Sequence, residues 1–427
     1  MGYNHTRISL KKKLNIMLIT VTSRIFLAAA LAPATLFAQA PGRHKRTVSD
    51  AEVLRVHRSA TLIDTHNDVP SSTVAGMDIG QPNTGHHTDL PRMKKGGMAA
   101  QFFAVYVASS YVEGNHAANR TLQMIDTVRH DIIEKYPRDF LFATTAADIR
   151  RARKQHRIAA LLGIEGGHAI EDSLRLLRRY YDEGVRYMTL THSNSNHWAD
   201  SSGDANKPNN GLSAFGKEVV REMNRLGMIV DISHVSDKTF QDALEVSKAP
   251  IFASHSSCRA ISPVPRNMTD EMIVALAKKG GVIQINFACD FLNADVAKAS
   301  AAIDEKLRPI RDELIKKYAG DPDGLSRAMR EARERVGAGP GPRATLADVV
   351  RHINHVVEIA GIGAVGLGSD FDGIDCAPEG LDGVEKWPNL TRALLEEGYT
   401  ALDIRKIYGE NTLRLMTEVE RVAQSMR

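Results

Sequence analysis

Seven ionisable residues stand at the ends of short apolar runs in this 427-residue chain, and their types suit one kind of chemistry. LIDTHNDVP (62–70) closes on His66 and Asp68, GIEGGH (163–168) carries Glu165, and LTHSNSNHW carries His192. DISHVS, FASHSS and GSDFDG supply His234, His255 and Asp370. Alternate side chains of a strand share a face, so His66 and Asp68 can project together while Asn67 points away. A single histidine or aspartate at a strand end is most often a hydrogen-bonded structural residue. Together, His66, Asp68, Glu165, His234, His255 and Asp370 exceed what one tetrahedral ion takes and suit two divalent ions that share a carboxylate. Nitrogen and oxygen donors without thiolate favour two Zn2+ per chain, with Mn2+, Co2+ or iron as substitutes. Glu165 is the expected bridge because its run lies between the two groups of ligands.

Paired divalent ions bring a shared water toward neutral pKa and polarise a carbonyl, which is the chemistry of amide hydrolysis by a metal-bound hydroxide. A carboxylate must then pass the water's proton to the leaving amine, and Asp370 is the candidate, beside the metal as well as catalytic. His192 remains to donate to the oxyanion at the attacked carbonyl. Arg266, in SPVPRNMTD, could fork onto a substrate carboxylate, although a lone arginine near a helix start is commonly solvated. Asp372 is the alternative to Asp370. His86, His87, His168 and His197 lie beyond the run ends, where a supporting or surface role is the simpler reading.

These residues need a scaffold that gathers strand ends. Eight strand-like runs recur, at 61–66, 98–107, 158–166, 185–192, 228–234, 250–255, 281–287 and 364–370. Several are unbroken rather than alternating, as in parallel sheets covered on both faces. Helical patterns such as EDSLRLLRRYYDEG, SAFGKEVVREMNRLG, SDKTFQDALEVSKA and TDEMIVALAKKGG lie between them, three of which open on Ser or Asp/Thr caps and close on Gly. Eight alternations predict an α/β fold, a (β/α)8 TIM barrel whose active site gathers at the C-terminal strand ends. A doubly wound open sheet is the second choice. Residues 290–345, rich in Lys, Arg, Glu and Ala, break the alternation and read as a helical insertion over the barrel mouth.

Residues 1–40 hold five Lys/Arg, no Asp/Glu, and the stretch IFLAAALAPATLFAQA, the pattern of an export signal; residues 41–427 then form one metallohydrolase domain, periplasmic or secreted. Without that segment the formal charge falls from +4 to a balance of 50 basic and 51 acidic residues. No basic stripe with interleaved aromatics suggests nucleic acid. The charged C-terminal helix is not an anchor tail, so no stable membrane attachment is expected. Three scattered cysteines argue against a disulfide framework and a thiolate zinc cluster, leaving room for one bridge.

The motifs DTHNDVP, GIEGGH, RYMTLTHSNSNHWADS, VDISHVS, ASHSS, PRNMTD and GLGSDFDG, in that order, resemble the renal (membrane) dipeptidase family of zinc hydrolases, from residue 61 to GENTLRLM near the end. The resemblance implies a (β/α)8 barrel, two zinc ions and hydrolysis of dipeptides, including those with a C-terminal D-residue, and sometimes of β-lactam rings. It implies that His66 and Asp68 hold one ion, Glu165 bridges, and His234 and His255 hold the other. Asp370 then lies beside the first ion, His192 meets the substrate carbonyl and Arg266 its carboxylate. Dimerisation is common in that family, so a homodimer is an allowed partner arrangement. The alternative is another binuclear-metal amidohydrolase, acting on an N-acyl amino acid, lactone or β-lactam. Such enzymes commonly open on a pair of histidines and bridge with a modified lysine, whereas this chain has His-x-Asp and Glu165.

Overall fold

Eight parallel strands form the ring: β1 (Ile63–Asn67), β2 (Ala100–Tyr106), β3 (Ile158–Glu165), β4 (Val185–Thr189), β5 (Ile229–Asp231), β6 (Phe252–Ser256), β7 (Val282–Ile285) and β8 (Val365–Leu367), each hydrogen-bonded to the next. The computed structural model describes residues 44–337 and 341–426, all within the compact unit Gln39–Arg427. The export signal expected over 1–40 lies outside the described residues. Among the described residues no helix is long and apolar enough to cross a membrane.

The barrel is the predicted (β/α)8 arrangement, closed where β1 meets β8. Asp370 N donates to His66 O at 3.1 Å and Asp68 N to Phe371 O at 2.9 Å. Below this seam, Ser369 N and Oγ donate to the Asp64 carboxylate at 2.8 and 2.6 Å. Burial nevertheless pushes Asp64 up to about 6. A buried carboxylate is tolerated here because its oxygens are hydrogen-bonded. The seam therefore holds the two runs that carry His66, Asp68 and Asp370 in one register.

Strands buried on both faces explain the unbroken apolar runs. Inside the barrel, Tyr187 packs its ring against Phe102 and Phe252, with centroids 5.4 Å away in each case. Burying one such ring contributes roughly 1.5–3 kcal/mol. Gly163 makes room for it, since a Cβ there would fall 2.0 Å from the Tyr187 ring. The helices begin as their sequences predict: Ser173, Ser213, Ser236 and Thr269 each accept a hydrogen bond from a first-turn N–H.

Two features depart from the expected strand map. A short extra strand, Phe140–Phe142, pairs with β3 outside the ring; three residues carry too little periodicity to be read. The strands are also shorter than their apolar runs. His192, His234 and Asp370 each fall three residues past a strand, not on it. His234 and Asp370 adopt the left-handed region, with φ of 66° and 63°. Such a conformation costs about 1–3 kcal/mol per residue. The chain turns there at the mouth, where His234 Nε2 reaches Glu165 and Asp370 Oδ1 approaches His66.

The insertion consists of helices Ala294–Lys317 and Pro322–Gly337 between β7 and β8. Its second helix pairs Arg333 with Asp375 at 2.6 Å, in the loop after β8. It also accepts a hydrogen bond from Tyr111, after β2, at Asp323 (2.9 Å). These contacts anchor it to two loops at the C-terminal strand ends. Of the three cysteines, Cys289 and Cys376 form a disulfide at the insertion's root, and Cys258 is buried and free.

Candidate metal centre

All six expected ligands converge at the mouth, and Glu165 at the tip of β3 stands at their middle. Its Oε2 lies 3.5 Å from His66 Nε2, while its Oε1 lies 3.0 Å from His234 Nε2 and 3.2 Å from His255 Nε2. His66 Nε2 is 3.1 Å from Asp68 Oδ2 and 3.9 Å from Asp370 Oδ1. Gly373 leaves the space beside the two aspartates open, since a Cβ would sit 2.4 Å from Asp68 Oδ2 and 2.7 Å from Asp370 Oδ1.

Hydrogen bonds behind the ligands fix which nitrogen faces inward. His66 Nδ1 shares a 2.8 Å hydrogen bond with the Tyr187 hydroxyl, which leaves Nε2 for the site. Ser254 Oγ donates to Asp231 Oδ2 at 2.6 Å and so accepts from His255 Nδ1–H at 2.7 Å. The inward Nε2 of His255 then presents a lone pair, 3.0 Å from His234 Nε2 and 3.2 Å from Glu165 Oε1. His66 Nε2 and Asp68 Oδ2 are buried and make no hydrogen bond. Lone pairs packed against one another without protons are costly unless a cation lies among them.

The electrostatics set the two sides of Glu165 apart. Burial, with Arg266 and the neighbouring imidazoles adding to it, drives His234 and His255 well below the ordinary histidine range, so both are neutral donors. Burial opposes charge on His66 as well, yet Tyr187, Glu165 and Asp68 raise it well above that range. Burial and the charges of Asp68 and Glu165 raise Asp370 well above the usual carboxylate value. Glu165, despite burial, is held well below it by the surrounding histidines. The residues fit a metal centre: three sets of donors lie within 4.8 Å of one another, namely His66/Asp68/Glu165, Glu165/His192/His234 and His66/His255/Asp370.

The residues expected to meet substrate border this box. His192 lies tilted against His234 with ring centroids 4.5 Å apart, and its Nε2 is 3.9 Å from Glu165 Oε1, within reach of the same centre. Arg266 Nη2 donates to His255 O at 2.7 Å, while its Nε and Nη1 are buried with no partner. Tyr106, at the end of β2, meets the His192 ring edge-on at 4.9 Å. Asn286 donates to Asp370 Oδ2 at 2.8 Å. The sequence reading did not single out Tyr106, Tyr187, Ser254 or Asn286. A tyrosine inside an apolar strand run, whose hydroxyl must find a partner, was the available signal for Tyr187.

The remaining histidines lie apart. Asp372 Oδ1 accepts from His87 N at 2.9 Å and lies 3.3 Å from His86 Nδ1, so its carboxylate is turned toward that loop. His197 is exposed and pairs with Asp172 at 2.6 Å. His168 is buried, donates through Nε2 to Val107 O at 2.8 Å, and is lowered to about 4 by burial.

Residues 50–427 match the sequence model of the membrane dipeptidase family, peptidase family M19. The fold is similar to that of the probable dipeptidase PvdM from Pseudomonas aeruginosa, with TM-score 0.75 and 24% identity over 87% of this chain and 98% of that one. It is also similar to a dipeptidase AC described as a metallopeptidase of family M19, with TM-score 0.69 and 27% identity over 84% and 98% of the two chains. A third relative is a metallopeptidase from Rhodobacter sphaeroides liganded with a phosphinate mimic of the dipeptide L-Ala-D-Ala, at TM-score 0.67 and 26% identity over 84% and 99%.

Proposed function

This chain belongs to the membrane dipeptidase family of metallopeptidases, and from that premise we propose that it hydrolyses dipeptides at a binuclear zinc centre. One observation carries the reading: Glu165 divides its two oxygens between separate donor groups, Oε2 toward His66 and Oε1 toward His234 and His255. In this assignment His66 and Asp68 would hold one ion, His234 and His255 the other, and Glu165 would be shared between them. His255, at 3.2 Å from Glu165 Oε1, is favoured over His192 at 3.9 Å as a ligand of the second ion. When bound, the pair of ions supplies an activated water and an electrophile for the scissile carbonyl.

The chain's own groups do the rest. Asp370, steered by Asn286, receives the water's proton at Oδ1 and delivers it to the leaving amine. His192 donates to the oxyanion. Arg266 turns two unpaired N–H groups to the C-terminal carboxylate, as a planar guanidinium suits. The dipeptide mimic held by the Rhodobacter sphaeroides relative supports L,D dipeptides as substrates here. The signal-like first 40 residues and the Cys289–Cys376 disulfide support an exported enzyme, because disulfides persist in oxidising compartments.

A screen of L,L and L,D dipeptides with stripped and zinc-reloaded protein tests this. Chelation should abolish hydrolysis, and zinc or manganese should restore it. Full turnover by metal-free protein would sink the mechanism. Activity confined to N-acyl amino acids, lactones or β-lactams would replace the substrate class while keeping the metal centre.

A further inference from the structure

Arg266 combines two costly features: it is a guanidinium at the edge of the site, and two of its N–H donors are buried without acceptors. The carboxylates of Asp370, Glu165, Asp231 and Asp290 all pull on it, so something must stop it from collapsing onto one of them. The guanidinium's hydrogen bond from Nη2 to His255 O fixes one corner of the plane. The other restraint is Phe291, whose ring centroid lies 5.5 Å from the guanidinium carbon. A cation over an aromatic face is attracted to it without using up its N–H donors.

Phe291 is itself held unusually firmly for a residue at the root of an insertion. It lies on the short helix Cys289–Leu292, where Cys289 is bonded covalently to Cys376 in the loop after Asp370. Its carbonyl accepts from Asn267 Nδ2 at 2.9 Å, and the carbonyl of Asp290 accepts from Ser262 Oγ at 2.7 Å. Both donors belong to the loop that carries Arg266. One stapled turn thus touches the arginine loop on one side and the Asp370 loop on the other.

We propose that Phe291, stapled in place by Cys289–Cys376, is the positioning residue that keeps the Arg266 guanidinium open toward the substrate's carboxylate. Affinity for free dipeptides then depends on the root of the insertion, and on its disulfide, more than turnover does. This rests on the carboxylate role assigned to Arg266 above.

The test compares zinc-loaded wild type, Phe291→Ala, Phe291→Tyr and Arg266→Ala on L-Ala-D-Ala and its C-terminal amide. Phe291→Ala should raise KM for the free dipeptide about tenfold with kcat within twofold, and should leave the amide unchanged. Phe291→Tyr, which keeps the ring face, should restore KM. Cys289→Ser/Cys376→Ser should raise KM severalfold in the same sense, and a non-thiol phosphine reductant, with metal content checked, should do so in wild type but not in that double variant. If Arg266→Ala raises KM for the free dipeptide and Phe291→Ala does not, the inference fails while the carboxylate role survives. If Arg266→Ala leaves KM unchanged, the carboxylate role fails and the inference with it. An equal loss of kcat on both substrates in Phe291→Ala would show general damage and overturn the positioning role.

Discussion

The two halves of the metal centre are built from different materials. On the β1/β8 side, two aspartates accompany one imidazole, and His66 Nε2 and Asp68 Oδ2 are buried without hydrogen bonds. On the β5/β6 side, two neutral imidazoles face a single carboxylate oxygen. The first half has a spare carboxylate, Asp370, able to accept and release a proton. The second half has none, but the groups suited to hold substrate border it: His192 against His234, and Arg266 bonded to the His255 carbonyl. In the proposed mechanism, proton traffic and substrate orientation therefore fall on opposite sides of Glu165.

The bridge is where this division is most easily broken. Glu165→Ala should cost both ions at once and lower kcat/KM by 10⁴ or more, about 5.5 kcal/mol of transition-state stabilisation. Metal content per chain after dialysis checks it. Retention of one tightly held ion would mean that one half stands without the bridge, and the site would then be two independent sites.

Asp370→Asn probes the first half alone. The amide keeps the shape and the contact with Asn286 but cannot carry the proton. Turnover should fall about a hundredfold, roughly 2.7 kcal/mol, with two ions still bound. Near-normal hydrolysis would move the proton role elsewhere. Loss of metal would make Asp370 chiefly a ligand.

This asymmetry was only partly legible in the sequence. The ring and the ligands could be read because parallel strands covered on both faces leave unbroken apolar runs, and His66, Glu165 and His255 stand at the tips of such runs. Where a strand stops was not legible. Three residues past the strand ends, at His234 and Asp370, the chain takes a left-handed turn adopted by residues that are not glycine, and composition does not mark such a turn. The partners behind the ligands were hidden for another reason. Tyr187 reaches His66 across 121 residues of chain, a pairing that arises only when the barrel closes. Cys289 and Cys376, separated by 87 residues, meet for the same reason, through loops that β7 and β8 bring together.

Those hidden partners allow the sharpest, though smallest, test of the comparison. Tyr187→Phe removes the hydroxyl behind His66 and leaves the ring packed against Phe102 and Phe252, so the barrel interior loses no volume. Ser254→Ala removes the oxygen behind His255, while Asp231 keeps its hydrogen bonds from Ser233 N and Ser254 N at 3.1 and 2.8 Å. Losing the group that orients a ligating histidine typically weakens metal binding 10- to 100-fold. The lower end of about tenfold, near 1.4 kcal/mol, is expected here because neither substitution opens a cavity or strands a charge. Chelator titration should resolve two ions and show that Tyr187→Phe loosens one while Ser254→Ala loosens the other. Each variant should leave its opposite ion at wild-type affinity, because Tyr187 and Ser254 reach the centre through different histidines. If both variants weakened both ions alike, Glu165 would be coupling the halves so tightly that their different composition has no separate consequence for binding.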